Sequence, residues 1–176
     1  MLHHYPDLSK SRSSYLSLLE LGCKEEPEDD RNCHYLGREY MYHHMYDKAI
    51  VELTRHLSLK SATWEAERAA SMRFIGRCYN QKGDKINAVR WYLRAIAEAP
   101  GEREPWVDLG KCYYSMNDHE GCYFAMKKAL SIVERPMTYI CEPEAWGSLP
   151  YDLCGVSAYY LGMSIVTGKQ IGRAHV

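Results

Sequence analysis

Three occurrences of a large apolar residue followed by glycine constrain the fold of this chain more than any other feature. The pairs are Leu36-Gly37, Ile75-Gly76 and Leu109-Gly110, and a tyrosine stands three residues after each glycine. A small residue stands twelve positions after each glycine, as Ala49, Ala88 and Cys122. Small side chains at these spacings let two short antiparallel helices pack closely, while the large neighbours fill the space beside them. The sequence therefore predicts a series of paired helices.

This order of residues resembles the tetratricopeptide (TPR) repeat, whose signature is Trp-x2-Leu-Gly-x2-Tyr followed by Ala, Phe and Pro. Gly76 and Gly110 are 34 residues apart, whereas Gly37 and Gly76 are 39 apart, which predicts a five-residue insertion near 58–64. The resemblance implies an all-α, TPR-like superhelix of seven to eight antiparallel helices. We expect them near residues 12–26, 30–44, 46–58, 64–82, 85–98, 104–117, 119–133 and 150–162.

The repeats are expected to occupy residues 11–162, between two segments of different character. Residues 1–10 are polar, contain a proline and have no helical period. The last repeat begins at Pro150 but has no second helix, since the chain continues with two glycines and no apolar stripe. We therefore expect 163–176 to be a disordered tail. Its end, Ile171–Val176, resembles a translated sequencing-library adapter, which predicts a truncated reading frame; a natural flexible tail is the alternative.

Charge and hydropathy limit the kinds of partner. The chain has 22 Lys and Arg against 23 Asp and Glu, so its net charge of −1 creates no field that attracts nucleic acid or an anionic membrane. No apolar run approaches the roughly 18 residues of a membrane span. The seven cysteines lack a Cys-x-x-Cys pair and are predicted to be reduced thiols. We expect a cytoplasmic protein that binds neither nucleic acid nor membrane.

The residue types that most often carry chemistry form no recognisable site in the sequence. The pairs His3-His4 and His43-His44 lack the ligand spacing of a zinc site. Cys78 and Cys112 fall on core-facing helix positions without a base nearby, and the acidic stretch Glu142–Glu144 lies in a loop. We therefore expect neither catalysis nor a bound metal or cofactor in this chain.

The first helix of each pair carries candidate binding residues, because first helices line the concave side of such arrays. Nine side chains are expected there: Arg31, His34, Arg38, Tyr42, Arg73, Arg77, Asn80, Lys111 and Tyr114. Guanidinium groups pair with carboxylate or phosphate in bidentate fashion, so this basic, partly aromatic stripe predicts a peptide-binding groove. The alternative is a solvated face whose charges pair with Glu39, Glu67 and Glu104.

A closer resemblance lies in the turns and insertions. The stretches that carry it are His3–Pro6 with Lys10–Ser13, Asp29–Asn32, His34–Tyr40, Ala62–Trp64 with Glu67-Arg68, Ser71–Ile75, Arg103–Pro105, Glu134–Pro136 with Thr138-Tyr139, and Pro150–Leu153. They resemble bacterial family-2 glycosyltransferases with a C-terminal TPR region, similar to peptide S-glycosyltransferases. The resemblance implies an upstream GT-A catalytic domain that uses a nucleotide-sugar donor and Mg²⁺ or Mn²⁺. Residues 1–10 would be the exit of that domain, and His3 or His4 a remnant of its metal or diphosphate site.

The resemblance implies that the chain is the non-catalytic repeat region of such a transferase. The region would bind the acceptor peptide or protein, or associate with a second copy as a homodimer. Arg38, Arg73 and Arg77 are then the main binding residues. The alternative is a free-standing TPR adaptor that recognises an acidic peptide.

Overall fold

A computed structural model describes residues 13–163, and this part of the chain contains helices and no strands. The helices of that range are α1 (Ser13–Glu25), α2 (Asp30–Tyr42), α3 (Tyr46–Ser58), α4 (Glu65–Gln81), α5 (Lys85–Glu98), α6 (Glu104–Ser115), α7 (His119–Ser131), α8 (Pro143–Trp146) and α9 (Leu149–Tyr160). The predicted bounds of eight helices differ from these by no more than two residues, and α8 was not expected. His3, His4 and residues 164–176 of the expected tail lie outside the described residues.

The helices pack as successive antiparallel pairs. Helix α2 packs against α3, α4 against α5 and α6 against α7. The first helices of successive pairs also contact one another, α2 with α4, α4 with α6 and α6 with α9. This arrangement confirms the predicted TPR-like superhelix and places α2, α4 and α6 side by side along one face. Each helix between residues 13 and 163 is too short or too polar to cross a bilayer.

The repeated glycines are the points at which paired helices touch. Gly37 faces Leu53, Gly76 faces Tyr92 and Gly110 faces Met126, so each glycine meets the residue sixteen positions later. A methyl group on Gly37 would lie 2.5 Å from Leu53 Cγ, and one on Gly76 would lie 2.6 Å from Tyr92 Cε1. The ring of Tyr92 is enclosed by the core, so it cannot yield into solvent. The equal spacings place the three pairs in one register, as the sequence pattern predicts.

The turns inside the repeats share a second regular feature. His44, Gly83 and Asn117 have φ values of 59°, 83° and 60°, and each stands seven positions after its repeat glycine. Asp84 and Asp118 follow two of these residues directly and cap α5 and α7 with their carboxylates. Gly162, with φ of 66°, stands seven positions after Gly155 of α9. Helix α9 and its turn therefore repeat the first half of a unit.

The stretch between α7 and α9 packs into the core and does not only link two repeats. Residues 138–146, called the crossing segment below, return over the first helices and form part of the core. Ile140 is buried in the same apolar cluster as Phe74 of α4, and Ala145 is buried in the same cluster as Val107 of α6. These apolar residues have neither helical nor strand periodicity, so the sequence pattern did not reveal their burial.

Replacing Gly76 by alanine is expected to destabilise the fold by about 1–3 kcal/mol, because the added methyl group overlaps the buried ring of Tyr92. Gly155 is the matched control, since a methyl group there meets no atom of the described residues within 4 Å. Gly155→Ala should stabilise the protein by about 0.5–1 kcal/mol, because alanine favours the helix over glycine. Urea unfolding followed by circular dichroism measures both changes. A Gly76→Ala protein as stable as the wild type would contradict the close approach.

Candidate peptide-binding groove

The nine predicted groove residues all lie on α2, α4 and α6, the first helices that contact one another. Their burial differs widely. Arg31, Tyr42 and Tyr114 are exposed, Arg38, Arg77, Asn80 and Lys111 are partly buried, and His34 and Arg73 are buried. The stripe is therefore not a uniform binding surface, and the contacts of each side chain decide its role.

Arg73 and Arg77 form a charge cluster with Asp108 of α6 and Glu142 of the crossing segment. Nη2 of Arg73 lies 2.6 Å from Glu142 Oε1, and Nη2 of Arg77 lies 2.6 Å from Oε2 of the same carboxylate. Arg77 also donates to both oxygens of Asp108, through Nε at 2.9 Å and Nη2 at 2.8 Å. The side chains of Arg73 and Asp108 are 3% and 4% exposed. Two positive and two negative charges therefore balance one another, with Arg73 and Asp108 buried and Arg77 and Glu142 about a quarter exposed.

These contacts set the protonation of the cluster. Burial by itself raises the pKa of Glu142, but the charges of Arg73 and Arg77 and the hydrogen bonds that they donate lower it to about 2. Burial lowers the pKa of Arg77, yet the charges of Asp108 and Glu142 raise it well above its usual value. Glu142 is consequently a carboxylate throughout the physiological pH range, and Arg77 remains a cation.

Lys111 makes a different kind of contact with the crossing segment. Its Nζ lies 2.9 Å from Glu144 Oε2, and the two side chains are 39% and 52% exposed. Water and salt screen such a pair, and exposed ion pairs contribute only about 0–1 kcal/mol. The crossing segment is thus held firmly at Glu142 and loosely at Glu144.

His34 belongs to a buried hydrogen-bonded chain and does not face a ligand. Its Nδ1 lies 2.7 Å from Ser71 Oγ, which lies 3.0 Å from Nδ1 of His56. Burial, followed by the charges of His56, Arg38 and Arg73, lowers the pKa of His34 to about 3. The ring is therefore neutral, and its contacts join α2 to α4 inside the fold.

A cleft of about 340 Å³ remains open beside the crossing segment. Four of the predicted residues line it: Tyr42, Arg77, Asn80 and Lys111. Glu144 of the crossing segment lines it as well. Arg31 instead lines a different cavity, while Arg38 and Tyr114 line neither. The structure therefore brings together about half of the predicted groove.

Glu142 and Glu144 were not among the predicted groove residues, because an isolated acidic pair in a loop gives no signal for a site. Glu142 pairs with Arg77, and Glu144 pairs with Lys111. Both partners are predicted groove residues, and each lies more than 30 positions earlier in the sequence. The charge balance of the chain does contain one signal for these acidic residues. A basic stripe on a chain with a net charge of −1 has to be balanced elsewhere, and the Glu-Pro-Glu stretch lies outside the repeats.

Comparison with known proteins agrees with this architecture. The sequence matches the tetratricopeptide repeat family over residues 74–102 and 104–132, about a third of the chain. No curated protein matches it. The chain therefore contains TPR repeats, as the residue pattern predicts.

Several solved structures share this fold. One crystal structure of MamA has a TM-score of 0.65 and 20% identity, covering 91% of this chain and 88% of that chain. Another has a TM-score of 0.63 and 21% identity, covering 84% and 72%. YrrB, described as a TPR protein with an unusual peptide-binding site, has a TM-score of 0.58 and 13% identity, covering 92% and 75%. Identities this low show a shared fold, and the fold is TPR-like.

Glu142→Gln is expected to destabilise the protein by about 2 kcal/mol at pH 7, because it leaves the buried guanidinium of Arg73 and the partly buried one of Arg77 with one carboxylate between them. The folded pKa of Glu142 lies below its unfolded value. Its stabilising contribution is therefore present above about pH 4.5 and is lost as the pH falls toward about 2. Urea midpoints at pH 7, 4 and 3 should fall more steeply for the wild type than for the variant.

Glu144→Gln is the matched control for this prediction, since Glu144 lies in the same segment but in an exposed pair. It should change stability by less than about 0.5 kcal/mol. Equal losses in the two variants would contradict the distinction between the firm and the loose contact.

Proposed function

We propose that this chain is a protein-interaction module whose concave face binds an extended acidic segment of a partner protein. The observation that carries the proposal is the crossing segment itself. The face formed by α2, α4 and α6 already holds a non-repetitive stretch of chain through Glu142 and Glu144. The chemistry of this face therefore suits carboxylates presented by a peptide from outside the repeats.

The cleft beside Glu144 is the place where a partner would enter. The side chains of Lys111 and Glu144 are 39% and 52% exposed, and their ion pair is weak. A carboxylate from a partner can replace Glu144 on Lys111 at little cost. Asn80 and Tyr42 also line the cleft, and they add amide and aromatic groups for further contacts with the peptide.

Arg73 has a different role from the one that the sequence suggests. Its buried guanidinium holds Asp108 and Glu142, so a partner does not reach it while the crossing segment is in place. Charge reversal at Arg73 would bury a third carboxylate beside these two and destabilise the fold. Lys111, on the open side of the cleft, is the better position at which to test binding.

Lys111→Glu is expected to weaken binding of acidic peptides at least tenfold, because it removes one charge-assisted contact and adds a repulsive charge. The probe is a set of peptides selected from a random-peptide phage library on the immobilised intact chain. Selected sequences should contain two or more Asp or Glu residues, and their binding should weaken with salt. Fluorescence anisotropy of labelled peptides measures the affinity of each variant.

Lys127→Glu supplies the control, since Lys127 is exposed on α7 and does not line the cleft. It makes the same change of net charge and should leave the affinity almost unchanged. The proposal would be wrong if selected peptides lacked acidic residues, or if the two variants weakened binding equally.

The resemblance to family-2 glycosyltransferases offers a second candidate, in which the same groove takes the acceptor peptide. Residues that carry this resemblance support the crossing segment in the fold. Glu104 accepts hydrogen bonds from the Glu142 amide at 3.0 Å and from Trp146 Nε1 at 2.9 Å. Tyr139 donates to Glu67. The membership itself, and the homodimer that it implies, stay predictions.

Sequencing the genomic DNA upstream of the Met1 codon tests this candidate. A repeat region of a glycosyltransferase requires an open frame that continues upstream and encodes strands and a D-x-D motif. An in-frame stop codon followed by a ribosome-binding site would contradict it and leave the adaptor. Neither result changes the expected effect of Lys111→Glu.

A further inference from the structure

A second cavity, of about 650 Å³, opens at the beginning of α2. Its lining is strongly acidic: Glu26, Glu28, Asp29, Asp30 and Glu67 contribute carboxylates, against the single guanidinium of Arg31. Such a concentration of negative charge attracts cations to the cavity. Acidic residues alone do not make a site, so the buried groups beside them decide what the cavity binds.

Three ligand-type side chains from three helices lie close together here, and two of them, Asp30 and Glu67, line the cavity. Asp30 begins α2, His56 lies near the end of α3 and Glu67 lies in the first turn of α4. One ligand atom of each residue lies within 4.8 Å of the other two. Ligand atoms that share one ion at about 2.0–2.2 Å lie about 3–4 Å apart, so small side-chain rotations would close the set.

His56 gives the observation that points to a ligand. Its side chain is 0% exposed, and its Nε2 has no hydrogen-bond partner among the described residues. The nearest carboxylate oxygen, Oε1 of Glu67, is 3.5 Å away, which is too long for a good hydrogen bond. A buried polar atom without a partner destabilises the fold. An ion bound between Nε2 and the carboxylates would remove that destabilisation.

The groups behind these side chains hold them in the orientation that a metal needs. Nδ1 of His56 lies 3.0 Å from Ser71 Oγ, and Ser71 also lies 2.7 Å from His34 Nδ1. When His56 donates through Nδ1 to Ser71, Nε2 keeps its lone pair toward the carboxylates. Glu67 is oriented in turn by the Tyr139 hydroxyl, which donates to Oε2. Such second contacts are typical of metal-binding histidine and carboxylate ligands.

We propose that Asp30, His56 and Glu67 bind a divalent transition-metal ion of the zinc class, with its remaining coordination positions open to the acidic cavity. One imidazole nitrogen and two carboxylates suit Zn²⁺ better than Mg²⁺ or Ca²⁺, which prefer oxygen ligands alone. Positions 30, 56 and 67 have no recognisable ligand spacing, which explains why the sequence predicted no metal site. This site is separate from the cleft proposed for the peptide.

Zinc titration of the metal-stripped intact chain, by isothermal calorimetry, tests the proposal. One ion per chain is expected. His56→Asn is the informative variant, because its side-chain amide can keep the hydrogen bond to Ser71 while the Nε2 ligand is lost. It should weaken Zn²⁺ binding at least tenfold. Asp30→Asn, a partly exposed position, should do the same with little effect on the fold.

His44→Asn is the matched control, since His44 is an exposed histidine at the opposite end of α2. Its zinc affinity should equal that of the wild type. Circular dichroism confirms that each variant is folded, and Co²⁺ absorption reports loss of the nitrogen ligand independently of calorimetry. Absence of one-to-one binding in the wild type, or full binding by both His56→Asn and Asp30→Asn, would overturn the site.

Discussion

Two guanidinium groups on one face of α4 have to be neutralised, and the arrangement of the concave face follows from that requirement. Removing an ion from water costs several kcal/mol unless a counter-ion with good geometry replaces the lost hydration. Asp108 supplies one counter-charge from the neighbouring helix α6. The second comes from Glu142, which no repeat helix carries. The crossing segment therefore neutralises part of the charge of the repeats, and it occupies part of the groove.

The regular part of the fold could be predicted from sequence because it depends on local spacing. Gly37, Gly76 and Gly110 each contact a residue sixteen positions later, so one short period determines both helices of a pair and their register. The helices that line the concave face follow from the same pattern. Alternation of small and large residues within about 30 positions is information that a single sequence contains.

The irregular part could not be predicted, because its contacts join distant positions without a period. Glu142 reaches arginines 65 and 69 residues earlier in the chain. Nothing in the sequence distinguishes these arginines, which are internally paired, from Lys111, whose ion pair is exposed. The sequence likewise gives no sign that His56 and Glu67 are neighbours. Their proposed metal-binding atoms lie close together only because α3 and α4 pack together. Burial, which depends on the whole fold, decides between a binding residue and a structural one.

The crossing segment also contacts both proposed sites. Tyr139, near its beginning, donates a hydrogen bond to Glu67, and Glu144, near its end, pairs with Lys111 in the cleft. Between them Glu142 is anchored by two guanidinium groups, whereas the pair at Glu144 is exposed and weak. A peptide that bound the proposed cleft would therefore displace the Glu144 end first, because displacement there breaks only a solvent-screened contact. Displacement beyond Glu142 would uncover buried charge, so the anchored carboxylate limits how far an incoming peptide can extend.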